Sequence, residues 1–136
     1  MKRVLILTCV VFLAGCGTLE QSRSELISQT GKKIEFQADK NYQEVYRIIK
    51  NRLQDNNYVW LMNDGRTDGD LYADKQTAFV SYIMNDAFFG ADTKFYADIK
   101  AINEQKTNIA IYHCKGGLIA DGWGDVSRDV MELVKK

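Results

Sequence analysis

The sequence predicts an α+β domain: one antiparallel sheet of about five to six strands with two helices packed on one face. Three observations predict it. Residues 42–53 and 126–134 repeat apolar side chains at three- and four-residue steps, the spacing of one helix face. Before and between them, short segments alternate apolar and polar residues with the two-residue period of a strand. The connections among those segments are short, and short turns force neighbouring strands to run antiparallel. A single sheet carrying both helices on one side buries both apolar stripes at once.

Each element follows from its residues. Residues 32–37 (KKIEFQ) put Ile34 and Phe36 on one face and form a first strand. Asp39 or Asn41 starts a helix, and Asn41 with Glu44 three residues on has the form of a capping box. Tyr42, Val45, Tyr46, Ile49 and Leu53 make its apolar stripe, while Lys40, Glu44, Arg47, Lys50 and Arg52 lie largely off it. The helix is expected to stop near Asn56-Asn57, residues that tolerate the left-handed conformation. Residues 58–62 (YVWLM) read as a second strand, and residues 63–70, with Asn-Asp-Gly and Asp-Gly pairs, as a turn-rich stretch before a short extended piece at 71–73.

Residues 74–76 read as a hairpin turn into a longer strand at 77–85, rich in Phe79, Val80, Tyr82 and Ile83. Residues 86–93 are expected to be a loop that contains Phe88-Phe89-Gly90. In residues 94–103, Phe95, Ala97, Ile99 and Ala101 face one way, and Tyr96, Asp98, Lys100 and Ile102 the other. Residues 104–106 turn, and 107–115 return with Ile109 and Ile111 on one face. Gly116, Gly117, Gly122 and Gly124 loosen the next connection. A closing helix, about 125–135, groups Val126, Val130, Leu133 and Val134, and Lys135 and Lys136 suit its C-terminal dipole. Trp60 and Trp123 are expected in the core.

The N-terminus carries a different signal. Lys2 and Arg3 precede an apolar run at 4–13, which is followed by small residues. The run is about half the roughly twenty residues needed to span a bilayer. The string Leu13-Ala14-Gly15-Cys16 resembles the lipobox of bacterial lipoproteins. That resemblance implies cleavage between Gly15 and Cys16, a diacylglycerol on the Cys16 sulfur and, usually, an acyl chain on the new amine. It implies a protein held to the membrane by the lipid on Cys16, on the periplasmic side. Gly17, where an Asp favours inner-membrane retention, favours the outer membrane. The layout is then a signal peptide at 1–15, the lipidated Cys16 and a polar tether through 31, and a single domain at 32–136. The tether segment 17–31 has only Leu19, Leu26 and Ile27 as large apolar residues. As a coil it spans roughly 20 Å, stretched about 50 Å, and leaves the domain free to turn.

Charge and cysteine usage agree with that address. The chain has 136 residues, 18 basic and 18 acidic. Without the first 15, which hold Lys2 and Arg3 and no acid, 121 residues remain with 16 basic and 18 acidic side chains. A charge of about −2 argues against nucleic acid and against a polybasic contact with anionic lipid. Attachment then comes from acyl chains, each buried CH₂ contributing roughly 0.8 kcal/mol. Of three cysteines, Cys9 leaves with the signal and Cys16 carries lipid, so Cys114 is expected without an internal disulfide, packed as a small hydrophobe. There is no proline, hence no polyproline recognition stretch.

Chemistry-bearing patterns are sparse. Asp64, Asp68, Gly69, Asp70 and Asp74 invite a calcium-loop reading. A loop starting at Asp64 puts Gly69 at position 6 but Arg66 at position 3 and Lys75 at position 12, and arginine does not ligate. His113, the single histidine, neighbours Cys114 in a strand, where adjacent side chains point to opposite faces. No Gly-x-Ser-x-Gly elbow or P-loop occurs. The expectation is a non-enzyme with no metal and no cofactor.

The order β-α-β4-α over residues 32–136 resembles the helix-grip domain of small BamC-like bacterial lipoproteins. BamC-like chains usually carry two such domains, and this one has room for one. The resemblance implies a protein-binding role in the cell envelope, toward an envelope protein the sequence does not identify. With both helices on the face of Phe95, Ile99 and Ile111, the opposite face is expected to expose Tyr96, Ile102 and Tyr112. Phe88 and Phe89 are a second candidate contact. The alternative is a carrier or sensor that holds a small apolar ligand between helix and sheet.

Overall fold

A computed structural model describes residues 22–29, 33–55, 63–86, 90–114 and 122–136. Within them the chain forms α1 (Arg23–Gln29), β1 (Ile34–Ala38), α2 (Tyr42–Asp55), β2 (Asn63–Tyr72), β3 (Thr77–Asp86), β4 (Gly90–Asn103), β5 (Lys106–His113) and α3 (Gly122–Lys135). The strands make one five-stranded sheet in the order β1-β5-β4-β3-β2, antiparallel at every pairing. The expected α+β class, with one antiparallel sheet, is the architecture of the molecule.

The alternation in the strands sorts side chains between two faces. Phe36 and Ala38, Ala78, Val80 and Tyr82, Phe95, Ala97 and Ile99, and Ile109 and Ile111 form the inner face. The stripe of α2 (Tyr42, Val45, Ile49, Leu53) and Val130 and Val134 of α3 close over it in one continuous core. Asn41 starts α2 as its spacing suggested: its Oδ1 accepts from the Gln43 amide at 2.8 Å. The same side chain donates to the Glu104 carbonyl at 3.1 Å, which ties the helix start to the β4–β5 turn. The Arg52 Nε donates to Asp129 Oδ2 at 2.6 Å and joins α2 to α3.

Three expectations are corrected. Residues 63–72 are a ten-residue strand, not a turn, and pair with β3 from Asn63↔Asp86 to Tyr72↔Thr77. Asn, Asp and Gly are poor strand formers alone, but β2 is an edge strand with a full partner, and pairing overrides propensity. Its glycines serve close approach instead. A Cβ at Gly65 would lie 2.0 Å from the Tyr82 hydroxyl, and one at Gly69 2.7 Å from the Phe79 carbonyl oxygen. At Gly69 the carbonyl accepts from the Tyr46 hydroxyl at 3.2 Å, which fastens α2 to this edge. Second, Gly122 and Gly124 belong to α3 rather than to a loop before it, and Gly90–Thr93 belong to β4 rather than to the loop at 86–93. Third, the polar segment 17–31, a tether with room for a fraying helical turn, carries the seven-residue α1 packed on the sheet, so a third helix joins the two expected. The strand expected at 58–62, Trp60, and the contact candidates Phe88 and Phe89 lie outside the described residues.

A strapped aromatic face as the candidate functional site

Four aromatic rings from four consecutive strands form a ladder on the outer face. Tyr72 of β2 stacks on Phe79 of β3 at 6.3 Å between centroids, Phe79 lies 6.0 Å from Tyr96 of β4, and Tyr96 lies 6.1 Å from Tyr112 of β5. Strand register explains the ladder: Tyr96 pairs with Tyr112, and Phe79 sits directly between Asp70 and Asp98. Both aspartates are exposed and share the outer face with Phe79.

Tyr96 and Tyr112 are on the face opposite Phe95, Ile99 and Ile111, as the alternation required, and Ile102 is half exposed at 50%. The expectation that the face is open is corrected. Tyr96 is 3% exposed and Tyr112 is partly buried, because α1 lies across β4 and β5. Leu26, fully buried, packs with Tyr96 and Cys114, with Phe79, Tyr112 and Trp123 around them. The Arg23 guanidinium carbon stands 4.4 Å from the Tyr96 ring centroid and 4.7 Å from that of Phe79, cation–π distance to two rings at once. Burial pushes the Tyr96 hydroxyl up to about 12, the Asp98 carboxylate adding to the shift and Arg23 opposing it.

The start of α1 is built by a reciprocal cap. The Glu25 amide donates to Ser22 Oγ at 3.3 Å, and the Ser22 amide donates to Glu25 Oε2 at 2.7 Å. The sequence carried this signal as Ser22-Arg23-Ser24-Glu25 ahead of Leu26-Ile27, and the overall polarity of 17–31 masked it. Phe79 and Tyr72 were legible as strand residues but not as members of the ladder, since the register that aligns them is set by the fold.

Cys114 is buried at the end of β5 and is disulfide-bonded. His113 stands opposite Phe95 in register, so the two neighbours do face opposite sides of the sheet. Trp123, at the head of α3, packs between the faces, 5.1 Å from Tyr82 on the inner side.

The remaining features are quieter. A cavity of about 500 Å³ opens at the rim between the α2 start and the β4–β5 turn, lined by polar and charged residues including Asp39, Lys40, Glu44 and Lys106. The space between α2 and the sheet, where an apolar ligand would sit, is filled by Val45, Ile49, Val80, Phe95 and Ile99, all fully buried. Among the described residues no group of three or more His, Cys, Asp or Glu gathers to hold a metal, and Asp68 and Asp70 lie exposed on β2. Among them, too, no helix is long and apolar enough to cross a membrane. Comparison with protein-family models, with curated proteins and with solved structures finds no match.

Proposed function

We propose that the protein is a lipid-anchored adaptor of the cell envelope, attached through Cys16 on the periplasmic side, more fittingly of the outer membrane, and binding another envelope protein without catalysing a reaction. Lys2, Arg3, the ten-residue apolar run and Leu13-Ala14-Gly15-Cys16 carry the address. The ladder Tyr72, Phe79, Tyr96, Tyr112 carries the binding role. It concentrates aromatic area, which gives contact at low entropy cost, on the side of the sheet away from α2 and α3, where Tyr72 stands 41% exposed at one end and α1 lies across Tyr96 and Tyr112.

Intact-mass analysis of protein from the envelope fraction decides the address. A chain beginning at Cys16 with acyl groups supports it. A chain of all 136 residues, free of acyl groups, contradicts it. The adaptor role is tested by a photo-crosslinking residue placed in intact cells at Tyr112, and in a control at Glu44 on the far side of α2. A discrete protein adduct from position 112 alone is expected, and equal or absent adducts from the two positions contradict the reading.

A further inference from the structure

β2 ends the sheet on one side, and among the described residues β3 is its one strand partner. The amides of Gly69 and Leu71, two residues apart, face the same way along an antiparallel strand. Each donates to the carboxylate of the residue before it, Gly69 to Asp68 Oδ1 at 2.9 Å and Leu71 to Asp70 Oδ1 at 2.8 Å. Asp68 and Asp70 are exposed. The donors that a further strand would bond are thus already taken, by groups whose charge repels an arriving carbonyl oxygen. The strand also complements itself. About Thr67 it reads Gly65-Arg66-Thr67-Asp68-Gly69, a glycine at each end and opposite charges inside. An antiparallel copy centred on Thr67 sets Gly65 opposite Gly69 and Arg66 opposite Asp68, each twice by two-fold symmetry. Beyond the glycines the same register sets Asp64 opposite Asp70, acid against acid.

We propose that the edge of β2 is a pairing surface for a second copy of this chain, centred on Thr67, with Asp68 and Asp70 as its two controls. In the single chain each carboxylate holds the amide that follows it. In the pair, Asp68 turns to Arg66 of the second copy, and the Gly69 amide it leaves donates to the Gly65 carbonyl opposite. Arg66 and Asp68 are both exposed and, two residues apart, share a face. Directly opposed side chains of opposite charge attract across a strand pair. Asp70 gains no such partner in that register, and its charge opposes the pairing. The glycines leave the two backbones clear to meet. The inference stands apart from the adaptor reading, since it concerns the sheet edge and not the aromatic face.

Sedimentation velocity of the full chain at several concentrations tests it. Asp70→Thr removes the opposing charge and frees the Leu71 amide, and is expected to dimerise at least about tenfold more tightly than the natural chain. Adding Arg66→Glu sets an acid against Asp68 and is expected to return the chain to the monomer. Adding Asp68→Arg to those two restores opposite charges with their places exchanged, and the dimer is expected to return. General stickiness would not follow that exchange. Far-UV spectra like that of the natural chain are expected throughout, because the three side chains are exposed. Asp70→Asn drops the charge, keeps an oxygen for the Leu71 amide and is expected to give a smaller gain. If Asp70→Thr loses the sheet spectrum, the same charge series is run on Asp70→Asn. No gain in association from either variant at position 70, or a dimer indifferent to the charges at 66 and 68, overturns the proposal. Association that grows past two copies also overturns it, since a two-fold pair closes on itself.

Discussion

The two faces of this sheet are covered in opposite ways. On the inner side, two fourteen-residue helices set down a continuous apolar stripe, and the side chains they meet are buried to the last few per cent. On the outer side, among the described residues, the seven of α1 set Leu26 into a smaller buried cluster with Tyr96 and Cys114 and place Arg23 over Phe79 and Tyr96. Hydrophobic burial scales with area and is non-directional, so the inner face supplies most of the stability. The outer contact is small and chemically specific.

The comparison is broken most severely at the inner face. Phe95→Ala removes a fully buried ring between α2 and the sheet, and a loss of about 3–5 kcal/mol in urea-unfolding free energy is expected. Gly69→Ala forces a methyl group against the Phe79 carbonyl at the β2 edge and disturbs the Tyr46 hydrogen bond. The same measurement should show a loss of about 1–3 kcal/mol. Leu26→Ala sharpens the contrast. A fully buried leucine in a cooperative core costs about 2–5 kcal/mol on truncation. Leu26 belongs to the smaller cluster under a seven-residue helix, so a loss at the lower end of that range, about 2 kcal/mol, is expected, with a native-like sheet spectrum.

The smallest expected effect is a titration. The hydroxyl of Tyr96 is held at about 12 against a usual 10.0 because burial disfavours the phenolate. The sign follows: the neutral form is the one the fold prefers, so this contribution to stability is complete below pH 10 and is lost as pH rises from 10 towards 12. Absorbance at the tyrosinate band should show one tyrosine ionising late in the natural chain and earlier in Leu26→Ala. No difference between the two chains would mean that α1 is not what shields the ring.

Much of the inner face was legible in the sequence. The stripe of α2 has no competing pattern, Asn41 marks its start, and the alternation from Phe95 to Ala101 fixes which side chains face it. The β2 strand was not legible, because Asn63-Asp64-Gly65 and Asp68-Gly69-Asp70 spell turns to any local reading, and only the long pairing with β3 makes them a strand. The outer face was half legible. Tyr96 and Tyr112 follow from alternation, but their burial depends on Leu26 and Arg23, distant in sequence and set in a polar stretch whose helix signal is the short Ser22-to-Glu25 box. Local periodicity reveals area-driven packing well, and contacts made by two side chains poorly.

Native-state hydrogen exchange on the full chain tests the difference between the faces most directly. The amides of Leu26 and Ile27 are expected to exchange through a local opening, with rates almost independent of low urea, and orders of magnitude faster than those of Val80 and Ala97. If the α1 amides instead share the urea dependence and the opening free energy of Val80 and Ala97, the two faces unfold as one unit, and the contrast drawn between them is wrong.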